Sequence, residues 1–356
     1  MGREIEMSKF IIKNIGEGLG DCFIIEIKGE KAEEECIILV DGRQERQGKL
    51  SFNYMKDSIK NYEKIDYLII THIDDDHIGG ILKLLELPDN DEVSERLSKT
   101  VIIYNSVVSS IIHYQQAERL EKILSTRNLI NTCEKDYSKF SQNFLVLLPY
   151  VRRKKFDPDE YKLYRKRPVL TFIHPVDATD VEKVHEDYLK KKRNRTLNQT
   201  NSELVNRHSI VFLLEFSGKR VLFTGDAYIE DIFPKVLDLK NILIENSEEK
   251  SLLAASERKD KKIDIIKIPH HGTYENNKQL AANARKCDCR RFIVTGEKIW
   301  REKHPAKSLL NELYDVFGDQ HIIYTPIDLS GYAHCQEVIK NTEEIDITED
   351  EKNAKK

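Results

Sequence analysis

The chain has 356 residues, 40% of them hydrophobic and 8% aromatic, enough for a sizeable packed core and too apolar for global disorder. Charged residues make up 33% and the net charge is -4, so the protein as a whole is not a basic nucleic-acid coat. No apolar run approaches the ~20 residues of a membrane span, and the start, Met1-Gly2-Arg3-Glu4, lacks a signal-peptide core, so a cytoplasmic location away from membranes is expected.

In chain order, apolar runs at 10–15, 22–27 and 36–40 read as strands, with a glycine-rich turn at 16–20. A helix over 52–62 leads into 66–71, a continuous apolar strand of the kind buried on both faces. His72-Ile73-Asp74-Asp75-Asp76-His77 follows, then a helix through Leu82, Leu84 and Leu85. A strand at 101–104 and a helix over 109–124 continue the alternation. The segment at about 131–206 reads as a basic insert, with runs at 152–155 and 190–195. A hairpin of 209–216 and 220–224 follows, then a helix at 229–237, a strand at 263–268 and a helix at 278–285. A strand at 291–294, a helix at 306–317 and a strand at 322–324 complete one α/β domain, 8–340. The charge-dense tail, 341–356, is expected to fray. The six cysteines are scattered, and the lone pair Cys287-x-Cys289 lacks a second pair at zinc-finger spacing, so reduced thiols are expected.

The chemistry-bearing residues gather where apolar runs end. His72, Asp74, Asp76 and His77 place two imidazoles and two carboxylates in one turn, a dense set of metal-capable groups. Thr224-Gly225-Asp226 and Pro269-His270-His271-Gly272-Thr273 end two further runs, and Asp41 ends another. Asp41 by itself reads as an acidic solvated turn or a helix cap. Together the four clusters point to the crevice at strand carboxyl ends where α/β proteins bind ligands.

The motif His72-x-Asp74-x-Asp76-His77-x-Gly79-Gly80 resembles the signature of the metallo-β-lactamase fold. Asp at its second position, where most of the superfamily has His, resembles the nuclease-like domain of ComEC-type DNA-uptake proteins. Further matches are Asn14-Ile15-Gly16 with Gly20-Asp21-Cys22, Asn206-Arg207-His208-Ser209, Thr224-Gly225-Asp226, Lys267-Ile268-Pro269-His270-His271-Gly272-Thr273, and His304-Pro305 with Tyr324, Thr325 and Gly331. Over about residues 10–335 the resemblance implies an αββα sandwich of two mixed sheets flanked by helices, in a stand-alone form without the transmembrane channel.

The resemblance also implies two divalent metal ions. His72 and Asp74 would belong to one, Asp76, His77 and His270 to the other, with Asp226 bridging. For the third motif, His208 supplies a ligand or is a local variant without that role, and Asn206 stands beside it. Asp74 makes the site oxygen-rich, which admits manganese or magnesium as well as zinc. A metal pair generates hydroxide at neutral pH and neutralises phosphoryl charge, so a phosphodiesterase or nuclease acting on DNA or RNA is expected. Asp76 belongs to the catalytic set, and His271, His304 and Lys267 are candidate proton donors to the leaving oxygen. Asn206, Ser209, Thr273 and the basic run Lys190, Lys191, Lys192, Arg193 and Arg195 are candidate substrate contacts, with Tyr161, Tyr164 and Tyr188 as possible stacking surfaces. The alternatives are a hydrolase of lactones, thioesters or cyclic nucleotides, and a regulatory protein with a vestigial metal site.

Overall fold

In β2 (Phe23–Lys28), Phe23, Ile25 and Ile27 enter one apolar layer and Ile24 enters another. Successive strand side chains face opposite sides, so a strand apolar at both parities must be covered on both faces. The structure, a computed structural model, describes residues 8–16, 20–29, 35–44, 48–104, 114–126, 144–146, 168–175, 186–187, 189–191, 193–194, 196, 202–237, 262–296, 304–327, 329 and 336–348.

Within these residues the first sheet contains β1 (Lys9–Asn14), β2, β3 (Cys36–Val40), β4 (Tyr67–Ile70), β5 (Val101–Tyr104) and β14 (Glu344–Asp346), in the order β14-β1-β2-β3-β4-β5. The second contains β6 (Phe144–Val146), β7 (Val169–His174), β8 (Val211–Phe216), β9 (Lys219–Phe223), β10 (Ile265–Lys267), β11 (Arg291–Ile293), β12 (Ile322–Thr325) and β13 (Ile339–Asn341), in the order β13-β12-β11-β10-β9-β8-β7-β6. Both sheets are mixed. β3, β4 and β5 run parallel beside antiparallel neighbours, and β9 to β13 run parallel beside the hairpin of β8 and β9.

Three apolar layers account for the packing. Phe10, Phe23, Ile38 and Ile69 of the first sheet meet Phe212, Phe223 and Ile265 of the second. Phe223 is the hinge of this contact, stacked on Phe212 at 5.0 Å and edge-on to Phe23 at 5.7 Å. The outer face of the first sheet is covered by α1 (Gly48–Lys60), α2 (Asp75–Leu85), α3 (Glu92–Leu97), α4 (Tyr114–Thr126) and Val205 of α5 (Ser202–Arg207). The outer face of the second is covered by α6 (Ile229–Leu237), α7 (Leu280–Lys286) and α8 (Lys307–Phe317). The layers are therefore helix, sheet, sheet, helix, the αββα sandwich expected. Among the described residues no helix is long and apolar enough to cross a membrane.

Two readings of the sequence need correction. The stretch 131–206 is not simply an insert, because β7 within it pairs along β8 and buries Leu170, Phe172 and Ile173. The charged tail does not fray from 341. β14 pairs with β1, and Ile345 and Ile347 are buried beneath it. Their alternation with Glu344 and Asp346 gives one apolar face and one solvated face, which outweighs the high charge density. Ile347 is 0% exposed, and its amide donates to the Phe10 carbonyl at 2.8 Å. Ile347→Ala is therefore expected to lower stability by about 2–5 kcal/mol. An unchanged urea midpoint would return the segment to a frayed tail.

Candidate metal centre

β3 and β4 run parallel, as do β9, β10 and β11, so each group delivers its carboxyl ends to one edge. Those two edges meet. After β4 comes the turn carrying His72, Asp74, Asp76 and His77, and Asp74 starts α2 from an extended conformation without using its carboxylate as a cap. Helix α2 approaches closely because residue 80 is glycine: a Cβ there would lie 2.0 Å from the Gly42 carbonyl oxygen. After β9, Gly225 turns the chain at φ 51, and the Asp226 amide donates to Ser209 Oγ at 3.1 Å. After β10, His270 and His271 take left-handed conformations at φ 46 and 53, a placement that costs non-glycine residues about 1–2 kcal/mol each. The Asn277 amide staples that turn by donating to the carbonyls of Pro269 (2.9 Å) and Thr273 (2.6 Å).

Hydrogen bonding fixes which imidazole nitrogen faces the centre. Asp41 accepts the Thr71 amide at 2.8 Å, the Thr71 hydroxyl at 2.6 Å and His77 Nδ1–H at 2.8 Å. Thr71 has spent its one hydroxyl hydrogen on Asp41, so at 3.1 Å it accepts from His72 Nδ1–H. The same logic holds across the seam. Thr295 donates to Asp21 at 2.6 Å and accepts from His271 Nδ1–H at 2.9 Å. Each ring thus turns its Nε2 inward, as a lone pair where the ring is neutral and as an N–H where, as in His271, the ring is protonated and faces Asp76. The Nε2 atoms of His72, His77, His270 and His271 lie 3.7, 3.2, 3.7 and 3.9 Å from carboxylate oxygens of Asp226. His271 Nε2 is also 3.2 Å from Asp76 Oδ2. Compact ligand groups form from His72, His77 and Asp226, and from Asp76, His77 and His271.

The charges follow from this crowding. Burial and the carboxylates of Asp76 and Asp226 push Asp74 up to about 7. Burial pulls His72 down to about 3, helped by the neighbouring His77. Burial opposes protonation of His271 too, but Asp226, Asp21 and Asp76 outweigh it and raise the ring to about 9. Burial works against the Asp226 carboxylate as well, yet the imidazoles of His77, His270 and His271 hold it well below the usual range. Without a cation, protons take the place that positive charge must fill.

The remaining candidates separate by position. Lys267, read as a proton donor, is buried with its ammonium 3.7 Å from Asp226 Oδ1. It is 1% exposed, pairs with Asp21 and donates to the Gly225 carbonyl at 2.9 Å, so it braces the floor of the site. His304 is half-buried, stacked at 5.6 Å on His270, and its Nδ1 lacks a hydrogen-bond partner; burial lowers it to about 4. His208 bonds the Leu204 carbonyl through Nδ1 at 2.6 Å and enters none of the ligand groups among the described residues. Asn206 is buried with an unpartnered Oδ1, and the Thr273 hydroxyl donates to Asn276. In the basic run Lys190 is exposed, Lys191 pairs with Asp187 at 2.7 Å, and Arg193 donates to the Leu189 carbonyl at 3.3 Å. Lys192, Arg195, Tyr161, Tyr164, Tyr188 and Gly331 lie outside the described residues. The sequence reading gave no role to Asp21, Thr71, Thr295 or Asn276. For Thr71 and Thr295, a polar residue closing an apolar run was a usable signal.

Buried donor atoms without partners test whether metal fits. His72 Nε2, His77 Nε2 and Asp226 Oδ1 are buried and make no hydrogen bond, an arrangement costly for polar groups but suited to direct coordination of a divalent cation. The donor set fits. The layered helix, sheet, sheet, helix arrangement is that of the metallo-β-lactamase fold. The model of the Metallo-beta-lactamase superfamily matches residues 17–180. Among solved structures, the chain is similar to the metallo-beta-lactamase fold protein YhfI from Bacillus subtilis (14% identity, 89% of this chain and 96% of that one, TM-score 0.42). It is also similar to a diphosphatase of the PhnP family (12% identity, 81% and 85%, TM-score 0.34) and to a long form RNase Z from yeast (13%, 83% and 38%, TM-score 0.38). No curated protein matches the sequence.

Two outcomes are expected. Asp41→Asn removes a backing charge from His77 without removing an inward-facing atom, and should weaken metal binding about 10–100-fold. Equal affinity in a chelator competition would deny Asp41 that role. Metal must also displace protons held by His271, raised to about 9, and Asp74, raised to about 7. Apparent affinity should therefore rise from pH 6 to 9, by about tenfold per pH unit for each proton displaced. Calorimetry in buffers of different ionisation enthalpy reads the proton release directly, and a flat profile would contradict it.

Proposed function

We propose that the protein is a metal-dependent phosphodiesterase acting on DNA or RNA, a relative of the ComEC-type nuclease-like domains. The observation that carries this reading is the convergence of four imidazole Nε2 atoms on the buried Asp226 carboxylate, with Asp76 beside them. The mixed oxygen and nitrogen donors of His72, Asp74, Asp76, His77, Asp226 and His270 would hold two divalent ions, manganese or zinc, which would acidify a water and neutralise phosphoryl charge.

The chain's own residues do the rest. Asp41, Thr71, Asp21 and Thr295 hold the rings so that Nε2, not Nδ1, faces the reacting space. Lys267 and Gly225 lock the Asp226 turn from beneath. His304, half-buried and stacked on His270 with its Nδ1 unpartnered, would hydrogen-bond a leaving oxygen. The basic run at 190–195 would follow a polyanion's backbone toward the cleft. A cytoplasmic setting accords with the buried thiols of Cys22, Cys36, Cys287 and Cys289.

The deciding experiment pairs nuclease and bis-p-nitrophenyl phosphate assays, supplemented with manganese or zinc, with a lactone panel. Hydrolysis of the lactone alone would replace the phosphodiesterase reading. Asp76→Ala or His77→Ala should abolish diester cleavage and lower metal content while circular dichroism stays native; full activity in either would sink the site. Asp226→Ala should cost more activity than His208→Ala, because Asp226 faces every imidazole of the cluster and His208 none. Converting the five basic residues of 190–195 to Gln should weaken polynucleotide cleavage only. Each lost phosphate contact should flatten the slope of log K against log salt by ~0.7 on single strands or ~0.9 on duplex. Equal loss on the small diester would make the run a support of the fold.

A further inference from the structure

Asn276 follows the His270–His271 turn by a few residues and is 3% exposed. Its amide joins two turns that carry inward-facing groups. Nδ2 donates to the backbone carbonyl of Asp226 at 2.8 Å. A carbonyl only accepts, so the amide's orientation is settled. Oδ1 is then the atom facing His270 Nδ1 at 3.0 Å and the Thr273 hydroxyl at 2.9 Å. An amide oxygen cannot donate, so His270 Nδ1 must carry the hydrogen. The Nε2 lone pair is left directed at Asp226, 3.7 Å away.

His270 differs from its neighbours in what stands behind it. His72, His77 and His271 are backed, directly or through a threonine, by Asp41 or Asp21. His270 is backed by a neutral amide, and its side chain is 28% exposed, against 3%, 0% and 1% for the other three. A half-exposed ring meets water, which satisfies either nitrogen equally well, so the tautomer depends on the one oriented acceptor. We propose that Asn276 is a positioning residue for the metal centre, setting the tautomer of His270 and tying that ring to the backbone of Asp226. The proposal rests on reading the cluster as a metal centre, and its first measurement is made without metal so that the two can fail separately.

Long-range nitrogen–proton correlation spectra of the metal-free protein at alkaline pH report the tautomer, with the His270 signals identified by their loss in His270→Gln. Wild type should show the Nδ1–H form. Asn276→Asp keeps the acceptor and loses the donor, so it should show the same form. Asn276→Leu removes both and should move the ring toward Nε2–H. In chelator competition with manganese or zinc, Asn276→Leu should lose about 10–100-fold in affinity and Asn276→Asp less. An Nε2–H ring in wild type overturns the proposal, as does an unshifted ring or unchanged affinity in Asn276→Leu. If Asn276→Leu does not fold, wild type and Asn276→Asp decide it, since Nε2–H in either is equally fatal.

Discussion

Asp226 places a negative charge out of reach of water, and most of the site can be understood as the means of holding it there. A buried carboxylate is tolerated only when opposite charge or strong donors surround it. Here the surroundings are the imidazoles of His77, His270 and His271 and the Lys267 ammonium, 3.7 Å away, with the carboxyl groups of Asp76 and Asp74 nearby. In the metal-free protein, protons on rings such as His271 supply the balancing charge. A divalent cation would take over that balance and release those protons, which ties metal affinity to pH.

The outer ring of contacts holds these side chains in place. Asp41 sits behind His77 and, through Thr71, behind His72, all from the first sheet. Asp21 comes from the turn before β2, yet it steadies Thr295, His271 and Lys267 of the second sheet. That crossing of the seam makes the centre a joint between the sheets as well as a binding site. Gly20 belongs to the same joint, since a Cβ there would lie 1.9 Å from the Asp76 carbonyl oxygen.

Much of this was legible from local pattern. Apolar runs marked β3, β4, β9 and β10, and the polar residues that follow them are those gathered at the seam. The pattern failed where a residue's environment is supplied by distant chain. Lys267 reads as a reactive lysine until Asp21 is found beneath it. Neither Asn276 nor the different exposures of the adjacent His270 and His271 follow from their order in the chain, because the left-handed turn sends neighbours in different directions. β7 was obscured by the basic runs on either side, and β14 by its own acidic residues, although both alternate or cluster apolar residues as strands do.

The pairing of β14 with β1 bears on how the molecule is made. The first strand of the sheet has its outer neighbour at 344–346, so that edge stays open until almost the whole described chain has left the ribosome. Contacts between segments so far apart in sequence are slow to form, because a long loop must close before the contact repays it. During synthesis β1 therefore presents unpaired backbone groups, a surface on which other strands can pair. Its outward-facing Lys13, which meets Glu344 in the finished fold, puts charge on that edge in the interval and discourages premature pairing with another chain.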